Sequence, residues 1–84
     1  MKDNINENSR YTILVAEDEA NTRKGIEQFL ESAGYKVIAA KNGQEALDHF
    51  RDAALVILDI MMPELDGIEV LKNIRKVNKV PVIM

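Results

Sequence analysis

Carboxylates follow two apolar runs of this chain, and they are its strongest candidates for reactive or metal-binding groups. Asp59 ends the apolar run 55–58, which reads LVIL, and Glu17 and Asp18 follow the apolar run 11–16. A buried strand has no reason to end on an ionised group unless that group is used, capped or solvated at the strand tip. If the two strands are neighbours in one sheet, these carboxylates share a site.

Three convergent carboxylates need a compensating charge. Two unit charges about 4 Å apart repel by roughly 4 kcal/mol at an effective dielectric of about 20, so Glu17, Asp18 and Asp59 cannot all stay ionised without a cation or a proton. Oxygen ligands with open water positions suit Mg²⁺, which shares its remaining positions with water and phosphate oxygens. A carboxylate beside such an ion can accept a phosphoryl group as an aspartyl phosphate. The pattern therefore indicates phosphoryl transfer to aspartate.

Apolar periodicity predicts the elements that must position these acids, in the order β-α-β-α-β-α-β. Continuous apolar strands separated by amphipathic helices are typical of a parallel sheet covered on both faces. A capping-box pattern formed by Asp66 and Glu69 starts the third helix. The predicted strands are 11–16, 35–40, 54–58 and 80–84, and the first two predicted helices are 21–33 and 43–50.

The predicted fold class is α/β, a doubly wound parallel sheet with the flavodoxin-like strand order 2-1-3-4. In such a sheet the functional crevice lies at the carboxyl ends of the strands, between strands one and three, where the winding direction reverses. The candidate acids follow those two strands, so topology and residue pattern select the same place. We expect 11–84 to form this domain, and the polar segment 1–10 to be a flexible tail.

Composition limits the classes of function. The 84 residues make at most one small domain, and the absence of cysteine excludes a disulfide framework, thiol catalysis and Cys-ligated zinc. A net charge of -3 without a Lys/Arg cluster argues against direct contact with nucleic acid by this segment. No apolar stretch approaches the roughly 20 residues of a membrane helix. We therefore expect no membrane contact and a cytoplasmic location.

These residues resemble the receiver domain of two-component response regulators. The segment ILVAEDE at 13–19 is similar to the family's first strand and acidic pair, and LVILDIMMPELDG at 55–67 to its phosphoacceptor strand and loop. VPVIM at 80–84 is similar to its fourth strand, so the resemblance covers nearly all of 11–84. It implies phosphorelay signalling, Mg²⁺ as the cofactor, and a phosphohistidine of a sensor histidine kinase as the phosphoryl donor.

The resemblance also implies a role for each candidate residue. Asp59 would be the phosphoacceptor and also a metal ligand, and Asp18 a direct Mg²⁺ ligand. Glu17 would be an acidic partner of the ion acting largely through water. Met61 would be a metal ligand through its backbone carbonyl, and Pro63 and Gly67 would shape the loop.

The sequence departs from the family's pattern after the fourth strand. Receiver domains continue to a Ser or Thr just after that strand, a Lys at the end of a fifth strand and a switch surface, whereas this sequence stops at Met84. We expect a truncated receiver without the fifth strand and the last two helices. At most, impaired self-phosphorylation and autodephosphorylation would be its enzymatic activities. The alternative function is a fragment that cannot signal and forms a homodimer or larger assembly through its incomplete surface.

The same residues allow other interpretations. A flavin-binding module would want an anion cradle after the first strand, where 17–22 read EDEANT, and a metal-dependent phosphatase would want a second acid where Met61 stands. Glu19 is interpreted as the start of a helix and left out of the site. His49 is interpreted as a surface histidine. Arg23 is assigned, with its charged neighbours, to the solvated face of the first helix.

Overall fold

A computed structural model describes residues 7–84, and in that range four parallel strands form one sheet in the order β2-β1-β3-β4. The strands are β1 Thr12–Ala16, β2 Lys36–Ala40, β3 Leu55–Leu58 and β4 Val82–Ile83. The helices are α1 Ala20–Ser32, α2 Gly43–His49 and α3 Gly67–Val77, with short 3-10 helices at Glu7–Arg10 and Phe50–Asp52. This architecture confirms the predicted fold class and strand order.

The sheet is covered on both faces, as its apolar strands require. Leu14 and Val56 belong to a core between the sheet and two helices, which α2 and α3 complete with Ala46, Val70 and Ile74. On the opposite face, Ile13 and Ile57 line an apolar cleft of about 540 Å³ together with Leu30 of α1. Because α1 contains no fully buried residue, the α1 face is packed more loosely than the α2–α3 face.

The predicted tail and the fourth strand differ from the structure. Residues 7–10 form a 3-10 helix, in which the Asn8 side chain donates a hydrogen bond of 2.7 Å to the carbonyl of Ala33; residues 1–6 of the predicted tail lie outside the described range. The fourth strand is shorter than 80–84 because Asn78 and Arg75 bind the backbone N–H and carbonyl of Val80, at 2.7 Å each. The N–H and the carbonyl of Val80 therefore form hydrogen bonds to these side chains and not to a neighbouring strand.

Candidate metal centre

The register of the two central strands brings the candidate acids together. β1 and β3 are parallel, and Ala16 pairs with Leu58, so the next residues of the two strands, Glu17 and Asp59, follow side by side. The hydrogen-bonding ladder extends to these residues, because the N–H of Asp59 donates to the carbonyl of Ala16 at 3.0 Å and the N–H of Glu17 to the carbonyl of Ala40 at 3.0 Å. The backbones of both acids are thereby fixed at the carboxyl edge of the sheet.

The three acids predicted to share a site lie close together in space. Glu17, Asp18 and Asp59 each offer a carboxylate oxygen, and these oxygens lie within 4.8 Å of one another. Glu17 and Asp59 are partly buried, and Asp18 is exposed. This is the only cluster of three potential metal-ligating side chains that residues 7–84 contain. The geometry agrees with the convergence expected from the sequence, and it provides an open, all-oxygen donor set.

Backbone hydrogen bonds orient two of these carboxylates. The N–H of Glu19 donates to Oε2 of Glu17 at 3.0 Å, and the N–H of Met61 donates to Oδ1 of Asp59 at 3.1 Å. The Met61 side chain is 81% exposed, and the contact of this residue with Asp59 is made by its backbone N–H. The role of its carbonyl as a ligand stays a prediction.

The charge of the cluster is reflected in the titration of Glu17. Burial raises the pKa of this carboxyl above its ordinary value of 4.5, and the hydrogen bond from the N–H of Glu19 opposes that effect. The neighbouring charge of Asp59, and hydrogen bonding with Asp59 and Asp18, raise the pKa further. A carboxyl whose pKa is raised beside two further carboxylates fits a hard divalent cation such as Mg²⁺, which favours the charged form of its oxygen ligands.

The loop after Asp59 is held by close backbone packing. Gly67 starts α3, and its N–H donates to the carbonyl of Ile60 at 2.9 Å. A Cβ at this position would overlap the carbonyl oxygen of Asp59 and lie 2.7 Å from Cα of Ile60, so only glycine permits this approach. Met62 is 6% exposed and anchors the middle of the loop in the core, and Asp66 caps α3 by accepting from the N–H of Glu69 at 3.0 Å. The loop that follows the candidate phosphoacceptor is therefore fixed at three points.

Three residues outside the cluster were also interpreted from the sequence. Glu19 is the N-cap of α1, accepting from the N–H of Thr22 at 2.7 Å, which confirms its assignment to the helix start. His49 is exposed, as expected. The assignment of Arg23 to a solvated face is wrong, because its side chain is partly buried and donates to the carbonyl of Glu17 at 2.8 Å. Helical periodicity cannot show that this side chain reaches back to the end of β1.

The sheet is doubly wound, and its candidate acids lie at the carboxyl ends of the two central strands. Doubly wound α/β proteins are a class that binds ligands at this place, where the winding direction reverses. A family model for the response regulator receiver domain matches residues 13–84. The chain belongs to this family. No helix within residues 7–84 has the length and apolar character needed to span a membrane.

Named relatives and solved structures agree with the family. The probable transcriptional regulator ycf27 of Porphyra purpurea is 50% identical over 80 residues, which cover 93% of this chain and 33% of that protein. The receiver domain of the Francisella response regulator 1452 superposes with a TM-score of 0.80 at 36% identity, covering 86% of this chain and 62% of that one. The chain thus spans 33% of that curated relative and 62% of that solved receiver domain.

Two further solved structures are complexes. The response regulator TrrA of Thermotoga maritima, solved in complex with Mg²⁺-BeF, has a TM-score of 0.75 and 46% identity, covering 79% of this chain and 59% of that one. The receiver domain of the Saccharomyces cerevisiae response regulator Ssk1, solved with the histidine phosphotransfer protein Ypd1, belongs to a co-crystal structure that matches with a TM-score of 0.74 at 32% identity. That match covers 79% of this chain and 47% of the other.

Proposed function

We propose that this receiver domain accepts a phosphoryl group on Asp59 from a phosphohistidine of a sensor histidine kinase. The observation that carries the proposal is the convergence of three carboxylates within 4.8 Å, one of which, Asp59, stands at the tip of a central strand. In this proposal Asp18 and Asp59 are direct ligands of Mg²⁺. Glu17 acts largely through water, and Met61 contributes its backbone carbonyl.

The chemistry asked of Asp59 is nucleophilic attack on phosphorus. A carboxylate oxygen of Asp59 forms the new P–O bond while the P–N bond of the donor breaks, and the histidine nitrogen keeps the electron pair and takes up a proton. The N–H of Met61 holds Oδ1 of Asp59 and thereby limits rotation of the carboxylate. Bound Mg²⁺ would supply positive charge beside the oxygens of the transferring group. The product is an acyl phosphate at position 59.

The solved relatives support the cofactor and the class of partner. TrrA was solved with Mg²⁺-BeF, and the receiver domain of Ssk1 was solved with a histidine phosphotransfer protein. For this chain the cognate kinase, the cytoplasmic location and the absence of direct nucleic-acid contact stay predictions. The alternative function, self-association of a fragment that cannot signal, gains no support from these relatives.

Substitution of the acceptor tests the proposal. After incubation with acetyl phosphate and Mg²⁺, intact-mass analysis of the wild-type protein is expected to show one added phosphoryl group, and Asp59→Asn is expected to show none. Asp66→Asn is the matched control, because Asp66 lies in the same loop and Asn caps a helix as well as Asp does. Equal labelling of wild type and Asp59→Asn, or no labelling of either, would contradict the proposal.

A further inference from the structure

Arg23 connects α1 to the backbone of the acidic pair. Its Nη1 donates to the carbonyl of Glu17 at 2.8 Å and, at a longer 3.4 Å, to the carbonyl of Asp18. These bonds reach back six and five residues from a partly buried side chain, across the segment that joins β1 to α1. The guanidinium therefore holds the peptide groups of the two residues whose side chains form the cluster with Asp59.

The target of these hydrogen bonds sets Arg23 apart from an ordinary neutralising cation. A guanidinium beside several carboxylates commonly pairs with them, often through two parallel hydrogen bonds. Between the described residues, Arg23 bonds to the carbonyls of Glu17 and Asp18 and to no carboxylate of the cluster. This side chain therefore does not neutralise the three acids by forming an ion pair with them. It nevertheless fixes the backbone that carries two of them.

We propose that Arg23 is a positioning residue of the candidate metal centre. It orients Glu17 and Asp18 through their backbone so that their carboxylates converge on Asp59, and it leaves those carboxylates to a divalent cation. The inference rests on the proposed function and goes beyond it by assigning a role to a residue outside the acidic cluster. Lys24, the next residue of α1, is exposed and carries the same charge, and among residues 7–84 the side-chain hydrogen bonds to the carbonyls of this segment come from Arg23 and not from Lys24.

The sign of a change in cation affinity tests this role. The probe is Mn²⁺, and the Kd is measured from the electron paramagnetic resonance signal of the free ion for wild type, Arg23→Met, Arg23→Lys and Lys24→Met. If Arg23 acted only through its charge, removing it would strengthen cation binding, because a repelling positive charge is lost. A positioning role predicts the opposite, a Kd for Arg23→Met raised roughly tenfold, as is typical when a residue that orients metal ligands is lost.

The remaining variants separate positioning from charge and from folding. Lys24→Met is expected to bind Mn²⁺ as tightly as wild type or slightly more tightly, and Arg23→Lys, which keeps a donor, is expected to lie between wild type and Arg23→Met. Thermal unfolding followed by circular dichroism should be similar for Arg23→Met and Lys24→Met. If Arg23→Met does not fold, Arg23→Gln, which is too short to reach both carbonyls, carries the same expectation.

The outcomes distinguish this inference from the proposed function. Wild-type protein that binds Mn²⁺ while Arg23→Met binds it equally or more tightly would overturn the positioning role and leave the metal centre standing. Wild-type protein that binds no Mn²⁺ would overturn the metal centre and the role of Arg23 together. A Kd that rises in Arg23→Met and is partly restored in Arg23→Lys, without a matching loss of thermal stability, supports the inference.

Discussion

Asp59 and Glu17 are side by side because each continues a parallel strand by one residue beyond the apolar run. Hydrogen bonds of 3.0 Å to the carbonyls of Ala16 and Ala40 fix their backbones in the sheet, whatever contacts their side chains make. The result is a group of carboxylates whose mutual repulsion the fold tolerates. Such an arrangement is expected where a bound cation repays the electrostatic penalty.

The penalty at Glu17 is open to measurement in the absence of divalent ions. Glu17→Gln is expected to raise the free energy of unfolding at neutral pH by up to about 1 kcal/mol, because a partly buried charge beside Asp59 is removed. The folded state raises the pKa of Glu17 above 4.5, so ionisation of this carboxyl opposes folding. The gain should therefore shrink as the pH falls through the raised pKa, and vanish below 4.5, where both side chains are neutral.

Denaturant unfolding with a chelator present, repeated at several pH values, measures this gain. Glu31→Gln is the control, since Glu31 is exposed on α1 and lies outside the cluster; it is expected to change stability little. Mg²⁺ at high concentration should stabilise wild type more than Glu17→Gln, because a ligand that binds more tightly stabilises the folded state more at the same concentration. A gain that grows on acidification would be inconsistent with the raised pKa.

At the scale of elements, the β3–α3 loop depends on the missing side chain of Gly67. The start of α3 packs directly on the backbone of Asp59 and Ile60, so a Cβ at Gly67 would overlap the carbonyl oxygen of Asp59. The position of the candidate phosphoacceptor and the position of α3 are therefore coupled. Any side chain at Gly67 must move one of them.

Gly67→Ala is expected to lower the free energy of unfolding by about 1–3 kcal/mol through this overlap, and to reduce phosphoryl uptake at Asp59. Gly25→Ala is the matched control, since a Cβ there meets no atom of the described part of the chain within 4 Å. In the interior of α1 that substitution should stabilise the protein by about 0.5–1 kcal/mol, because alanine loses less backbone entropy than glycine. Denaturant unfolding of both variants checks this, and a harmless Gly67→Ala would contradict the packing described.

The elements that the sequence predicted well are those with a strong local signal. The capping-box pattern of Asp66 and Glu69 predicts the start of the third helix, and in the structure Asp66 is the N-cap of that helix. Glu19 was assigned correctly to a helix start for the same reason. Arg23 was misassigned because its partners are backbone carbonyls of an earlier segment, a contact that no pattern of side-chain types records. The predicted ligand roles of the acids remain predictions.

For the whole molecule, the fold could be predicted because each apolar run is long enough to be buried on both faces of a sheet. That requirement makes the sheet parallel, and right-handed crossovers then leave few strand orders to consider. The structure of residues 7–10 and of the segment around Val80 was harder to predict. Residues 7–10 are polar, yet form a 3-10 helix attached to Ala33 through Asn8, and Val80 is apolar, yet its backbone polar groups bind Asn78 and Arg75.

The proposed function requires the sheet to present Asp59, and no other carboxylate, to a phosphoryl donor. The most direct test is to phosphorylate the wild-type protein with acetyl phosphate and Mg²⁺, reduce the acyl phosphate with borohydride, and locate the modified residue by peptide mass spectrometry. Reduction converts a phosphorylated aspartate to homoserine, so homoserine is expected at position 59 and nowhere else. None is expected when Mg²⁺ is chelated. Homoserine at another position, or a modification at Asp59 that forms equally well without Mg²⁺, would contradict the proposed function.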